Sequence, residues 1–330
     1  MKEEDKLPQN WIFKKVKALV DFSAELIGVN NLHYPGHPWS IVKLLLLGGW
    51  VYVYTTIIPK HFNNYHYVDL LAGSGTTQVK ETKDVVPGSP FIPYFLARKP
   101  FTKYIYIEKR HDRCEALRQR VSKLIGDKAC VLEGDCNEFI ESILPEERRS
   151  HSLVFIDNEG FDVVWHTIEV ILQANTDSLM LFPTSSIMRV AKNERTQSSL
   201  DNFFGCKSWR DANDEEESLE IYLQQLKRRF KELRGKEGYV SNVRVGSGQF
   251  FYDIVLICKK GPYVRAWEYL KKQLDWKNPE IIKTTLDILK GRATSMDWFL
   301  GLQEKVASFE PIRTKKYKET TLDNFNPPSK

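Results

Sequence analysis

The sequence predicts an α/β fold: a doubly wound, Rossmann-like parallel sheet that ends in an antiparallel hairpin. Three observations carry this. Short apolar runs rich in Val, Ile, Leu and aromatics recur from Tyr65 to Phe182 between helix-period segments, the pattern of strands buried on both faces with crossover helices between them. The first run delivers an acid into a small glycine turn, YVDLLAGSG, the strand-to-loop form at which open α/β sheets receive ligands. Far downstream, NVRVGSGQFFYDIVLICKK sets two strand-like runs around Gly-Ser-Gly, which reads as a hairpin at one sheet edge.

Residues 11–28 and 38–58 carry helical patterns split by the breaker-rich NNLHYPGHP, so residues 1–60 read as an N-terminal helical preface. Within it, LLLLGGWVYVYTTII is short for a bilayer and contains Gly-Gly, Tyr and Thr; a buried helix is expected, and no membrane span. His33 and His37 flank Pro35 and Gly36, which break any shared helical face, so both are placed in a loop and no metal site is expected. The core spans residues 61–261, with strands in HYVDLLA, KYIYIE, ACVLEGD, SLVFID and DSLMLF and crossover helices in RCEALRQRVSKLI and VVWHTIEVILQA. Right-handed crossovers then give a parallel sheet. From 184 to 238 the alternation stops for a helical insertion closing in YLQQLKRRFKELRGK, its acids before its bases as a helix dipole favours. Residues 262–310 read as a C-terminal helical extension, and 311–330 as a flexible basic tail.

Across 330 residues, 48 Lys and Arg against 43 Asp and Glu leave a net charge of +5, which permits a polyanionic partner without requiring one. The opening MKEEDKLPQN has neither a secretory apolar stretch nor transit-peptide character, so a soluble cytoplasmic protein is expected. The five cysteines include no CxxC pair, which points to free thiols in a reducing compartment.

Three ligands compete for the glycine turn. A P-loop needs a Gly-Lys-Ser/Thr after four intervening residues, and AGSGTTQV lacks that lysine. A dinucleotide site prefers a turn opening directly into a helix on whose N-terminus the pyrophosphate sits, whereas here a polar stretch runs on to Pro87. S-adenosylmethionine has no phosphate; it needs room at Gly73 and Gly75, and an acid such as Asp69 for its ammonium. From Gly73 to Glu108 is 35 positions, and setting aside the twelve from Thr76 to Pro87 leaves 23, near the roughly 20 expected for a ribose-binding acid. Asp135 closes the third strand, where a carboxylate can accept from an adenine amine. Asp69, Gly73, Gly75, Glu108 and Asp135 are therefore the candidate cofactor residues.

In order and spacing, these pieces resemble the three-Cys-motif partner proteins, a class I methyltransferase-like family: WSIVKLLLLGGWVYVY, YVDLLAGSG, PGSP at 87–90, YIYIEK, GDCNE at 134–138, VFID, LFPTSSIMR at 181–189 and LDNFFGCKSW at 200–209. The resemblance implies a class I methyltransferase sheet and a protein partner of radical-SAM type that carries the three cysteines. The wider pattern is similar to ribosomal RNA adenine-N6 methyltransferases, which implies a nucleic-acid substrate by analogy alone.

Amino methyltransferases commonly end the fourth strand in Asp/Asn-Pro-Pro-aromatic, which orients an exocyclic amine and stacks on its base. Here the strand ends Asp157-Asn158-Glu159-Gly160-Phe161, leaving Asp157 as acceptor and Phe161 as stacking face. Both prolines are missing, so two other readings stand beside it: Asp157 caps the following helix while Phe161 and Trp165 pack, or the chain is a non-methylating nucleic-acid-binding or assembly subunit that keeps the fold. Basic runs near Lys14, Lys227 and Lys315 can guide a polyanion or simply be solvated. Gln197 to Phe204 fits a sliding-clamp peptide, but these aromatics are expected in the core, so a clamp partner is not expected.

Overall fold

The computed structural model describes residues 11–144, 149–247, 250–261 and 263–274. Its main sheet has seven strands, in the order β6-β5-β2-β7-β8-β10-β9. These are β2 (Asn64–Asp69), β5 (Lys103–Glu108), β6 (Ala129–Glu133), β7 (Ser150–Ile156), β8 (Thr176–Phe182), β9 (Gly238–Ser247) and β10 (Phe250–Lys259). The first five pair in parallel, while β10 lies antiparallel between β8 and β9. This is the class I methyltransferase sheet, with the expected hairpin at its edge. The chain runs outward from β2 through β5 to β6 and then returns to β7, so a topological switch point falls between β2 and β7, where such sheets bind ligands.

Alternate residues feed two cores. Tyr67, Leu153, Phe155 and Leu179 join the core on one face of the sheet, and Val68, Val154, Ile156 and Met180 the core on the other, as the two-residue period of a strand requires. The first face is covered by α1 (Trp11–Ile27), α2 (Pro38–Ile57), α3 (Ile92–Leu96), α4 (His111–Leu124) and α10 (Val264–Leu274). The second carries α5 (Cys136–Ile143), α6 (Trp165–Gln173) and the insertion helices α7 (Thr184–Ala191), α8 (Glu194–Phe204) and α9 (Glu215–Arg234). Helix α2 is long and apolar enough to cross a membrane, yet 67% of its most apolar window is buried inside the fold, against α1, α3, α10 and β9.

Asp214 caps α9 by accepting from the Glu217 amide, three glutamates fill the first turn, and Gly235 ends the helix in a left-handed conformation. In α8, Leu200, Phe203 and Phe204 are fully buried, so the apolar anchors of the clamp-like segment are core. All five cysteines are free. Of the expected helical extension, α10 is described; residues 275–310 and the tail at 311–330 lie outside the described residues.

One expectation is corrected. The segment read as a loop, NNLHYPGHP, contains a strand, β1 (Tyr34–Gly36), which pairs in parallel with β3 (Thr76–Val79); β3 in turn pairs antiparallel with β4 (Val85–Pro87). Strands of three or four residues are too short to show a period, and β1 is made of Tyr, Pro and Gly. The polar stretch after the glycine turn is thus a hairpin that fastens the N-terminal segment beside the sheet's carboxyl edge.

Candidate active site

After β2 the chain passes Gly73 at φ +63° and Gly75 at φ +86°, left-handed conformations that favour glycine. A Cβ on Gly73 would meet nothing within 4 Å, whereas one on Gly75 would sit 2.6 Å from the Phe91 ring. A Cβ on Gly88 would lie 3.0 Å from the Gly75 carbonyl carbon, and the Gly88 amide donates to the Gly75 oxygen at 2.8 Å. Thr76 stands opposite Pro87 in the hairpin register. The chain therefore leaves the turn and returns to it at one point, which accounts for both the delayed helix and the long spacing to Glu108.

Five of the seven candidate residues line one cleft of about 240 Å³: Gly73, Gly75, Glu108, Asp135 and Asp157. Glu108 ends β5; one oxygen accepts from the Gly73 amide and the other from the Arg110 amide, both at 2.8 Å. Asp135 caps α5, accepting from the Asn137 amide, and pairs with Lys109 at 3.0 Å. Burial pushes the Asp135 carboxyl up, but the Asn137 amide and Lys109 more than offset this and hold it below the usual range.

Asp69 and Phe161 do not line this cleft. Asp69 is fully buried beneath the turn, where its carboxylate accepts from the Leu71 amide at 3.3 Å and the Tyr67 hydroxyl at 3.4 Å. Burial drives its carboxyl up to about 7, against the pull of Ser89. It props the turn from below. Phe161 packs edge-on against Phe203, with ring centroids 5.3 Å apart, among the insertion aromatics. The helical insertion supplies that apolar surface, and Phe161 prefers it to an open cleft.

Sequence reasoning missed the N-terminal contribution. Lys43 of α2 pairs with Asp157 at 2.5 Å, with both side chains largely buried. Tyr34 of β1 lies under the Arg113 guanidinium, 4.7 Å from its ring centre, and lines the same cleft as Glu159. Lys43 did leave a signal: it is the only charged residue in α2, and a lone cation on a buried apolar helix needs a partner.

Tyr34, Ser40, Lys43, Asp157 and Glu159 also line a second cleft of about 610 Å³, walled by Trp39, Phe250, Phe251 and Tyr252. Phe250 is 60% exposed, and the His37 ring stacks on Trp39 at 4.3 Å. At the floor, Asn158 is fully buried; its Oδ1 accepts from the Val163 amide while its Nδ2 has no hydrogen-bond partner among the described residues.

The residues present fit the adenosyl part of such a ligand: bare backbone at Gly73, and carboxylates at Glu108 and Asp135 to accept from hydroxyl and amino hydrogens, while Asp69, the acid expected to take the ammonium, does not reach the cleft. Lys43 and Lys109, which also line the cleft, are each paired with a carboxylate.

The arrangement is that of a class I methyltransferase fold with a ligand cleft at its switch point. No family model and no curated relative matches the chain. Among solved structures, it is similar to the protein LPL1258 from Legionella pneumophila, at 12% identity and a TM-score of 0.44, covering 78% of this chain and 95% of that one. It is also similar to an O-methyltransferase from Bacillus cereus in complex with SAH, at 13% identity and a TM-score of 0.36, over 78% and 94% of the two chains. A third, the O-methyltransferase TomG from Streptomyces achromogenes in complex with SAM, aligns at 11% identity and a TM-score of 0.36, over 74% and 96%.

Proposed function

We propose that the protein is an S-adenosylmethionine-dependent methyltransferase whose acceptor is a nucleic-acid base, working with a radical-SAM-like three-Cys-motif partner. The observation that carries this is the joining of two clefts at the sheet's switch point: one built from a glycine turn and two carboxylates, the other walled by aromatics, with five residues in common. Bound in the first, the cofactor supplies a methyl group on a sulfonium. Gly73 leaves room for the ligand beside the main chain, Glu108 accepts from ribose hydroxyls and Asp135 from the adenine amine. An unstacked base fits the aromatic walls of the second cleft, where Trp39 and Phe250 offer stacking faces and Asp157 an acceptor for its N–H. Lys80 and His37 at the same cleft suit a phosphate backbone. The partner rests on the family resemblance alone.

A second reading is favoured by one observation, the replacement of both prolines by Asn158 and Glu159: a subunit that keeps the cofactor and the nucleic acid but transfers no methyl group. Calorimetry with S-adenosylmethionine on the purified chain, followed by transfer of labelled methyl to total cellular RNA and DNA, separates the two. Binding with transfer is the expected result. No binding by the wild-type chain ends the cofactor assignment, and binding without transfer, with or without the partner, leaves the second reading.

A further inference from the structure

The wall between the clefts holds two carboxylates in unlike settings. Asp157 is tied to the Lys43 ammonium at 2.5 Å. Glu159, two residues on, is exposed as a residue, has no ion pair among the described residues, and lines both clefts beside Tyr34, whose neutral hydroxyl favours its charged form. The charged and titratable groups that face Glu159 are Tyr34 from β1, Lys43 from α2, Arg113 from α4 and Asp157 from its own loop, with Lys80 and His37 lining the same cleft. A carboxylate already committed to an ammonium gains less from a proton than one without such a pair.

We propose that Glu159 takes the proton released by the acceptor atom, that Tyr34 positions its carboxylate, and that Lys43 holds Asp157 as a fixed hydrogen-bond acceptor. This rests on the methyl-transfer reading. The acceptor is an N–H or O–H group: its lone pair forms the bond to the methyl carbon, the carbon–sulfur pair stays on sulfur, and the surplus proton passes to Glu159. Protonated Glu159 then returns it to water at the open cleft. The electrostatic setting agrees: partial desolvation of the carboxyl at the cleft wall raises the proton affinity of Glu159, the Tyr34 hydroxyl lowers it, Asp157 raises it, and Lys43 and Arg113 lower it, with an upward balance.

The test compares wild type with Glu159→Gln, Tyr34→Phe and Asp157→Asn. Calorimetry with S-adenosylmethionine should place Glu159→Gln within about threefold of wild type. A carbon-13 titration, with the Glu159 carboxyl assigned by its loss in Glu159→Gln, should show it titrating above an ordinary glutamate, and higher still in Tyr34→Phe, which lacks the hydroxyl that favours the charged form. Methyl transfer to total RNA and DNA over about pH 5 to 9 should rise with pH through the same midpoint, and Glu159→Gln should lose about 10²–10⁴-fold together with that acidic limb. A Glu159→Gln variant that transfers at the wild-type rate, an Asp157→Asn variant that alone removes the limb, or a Glu159 carboxyl that titrates as a free glutamate overturns the assignment. A wild-type chain that fails to bind the cofactor, or binds it and transfers nothing, sinks the parent reading and this one with it. Transfer by wild type and Glu159→Gln alike sinks only the proton acceptor.

Discussion

Each oxygen of Glu108 accepts one main-chain amide, that of Gly73 or that of Arg110, and each keeps a second lone pair for a ligand hydroxyl. Both protein partners are donors, so glutamine is not a conservative replacement: its NH₂ must face an N–H. An unmet buried donor costs about 1–3 kcal/mol. Glu108→Gln should therefore weaken S-adenosylmethionine binding by about 10- to 100-fold, close to Glu108→Ala, as read by calorimetry. A loss confined to Glu108→Ala would mean that this side chain acts by bulk and not by its two acceptors. Glu108 and Asp135 were legible in the sequence because an acid that ends a buried strand announces its position at the sheet's carboxyl edge. The need of Lys43 for a partner was legible, but which partner it and Tyr34 meet was not, because these lie beyond the reach of local pattern, 114 positions away for the Lys43–Asp157 pair. Asp69 was legible as an acid under the turn, but nothing local told that its carboxylate points into the protein instead of the cleft.

At the scale of elements, α4 holds the preface and the glycine turn together through one side chain. Arg120 is fully buried, and its partners are four main-chain carbonyls, Asn30 and Ser74 at 2.5 Å, Leu32 at 3.0 Å and Leu26 at 3.3 Å, with the His33 ring at 3.5 Å. Burial pulls its guanidinium down to about 10. The four carbonyls come from the end of α1, the approach to β1 and the turn itself, so none of these segments can shift independently. Replacing the side chain by an apolar one of similar length leaves the carbonyls without donors. Arg120→Met should cost about 2–4 kcal/mol in urea unfolding and weaken cofactor binding, since the Ser74 carbonyl belongs to the turn. In RCEALRQRVSKLI this arginine is one of several polar positions, and only tertiary structure distinguishes it from half-buried Arg113 or Arg118. The helices and long strands were legible because their periods run over many residues; β1, β3 and β4 were not, because their pairing is decided by where the preface docks.

For the whole molecule, the edge of the sheet opposite the clefts carries a buried polar cluster that joins the preface and the C-terminal helix to the core. The Tyr54 hydroxyl of α2 meets His151 Nδ1 at 2.9 Å, His151 Nε2 lies 4.0 Å from Asp177, and the Tyr263 hydroxyl, just before α10, donates to Asp177 at 3.5 Å. Burial lifts the Asp177 carboxyl to about 7, against the pull of Arg234, and presses the His151 imidazole down to about 3, assisted by Arg234 and Lys259. Both groups therefore prefer to be neutral in the folded protein, and their pH signatures have opposite sign. For Asp177 the folded state binds the extra proton between its ordinary value of 3.8 and about 7, so its contribution to stability is full below that window and is lost as pH rises through it. For His151 the unfolded chain binds the extra proton between about 3 and 6.5, so stability is lost as pH falls through that window. Asp177→Asn should accordingly gain on wild type as pH rises from about 4 to 7, by up to about 1.4 kcal/mol per pH unit, with no difference at the acid end. His151→Gln should gain on wild type as pH falls from about 6.5. Urea unfolding of the three proteins across that range checks both signs, and parallel curves would mean that neither group is kept neutral by the fold. Because the cluster lies at the other end of the strands from Gly73 and Glu108, cofactor binding at neutral pH should be the same in both variants. A change in it would show that the docking of α2, the helix that carries Lys43 to Asp157, depends on the Tyr54–His151 contact.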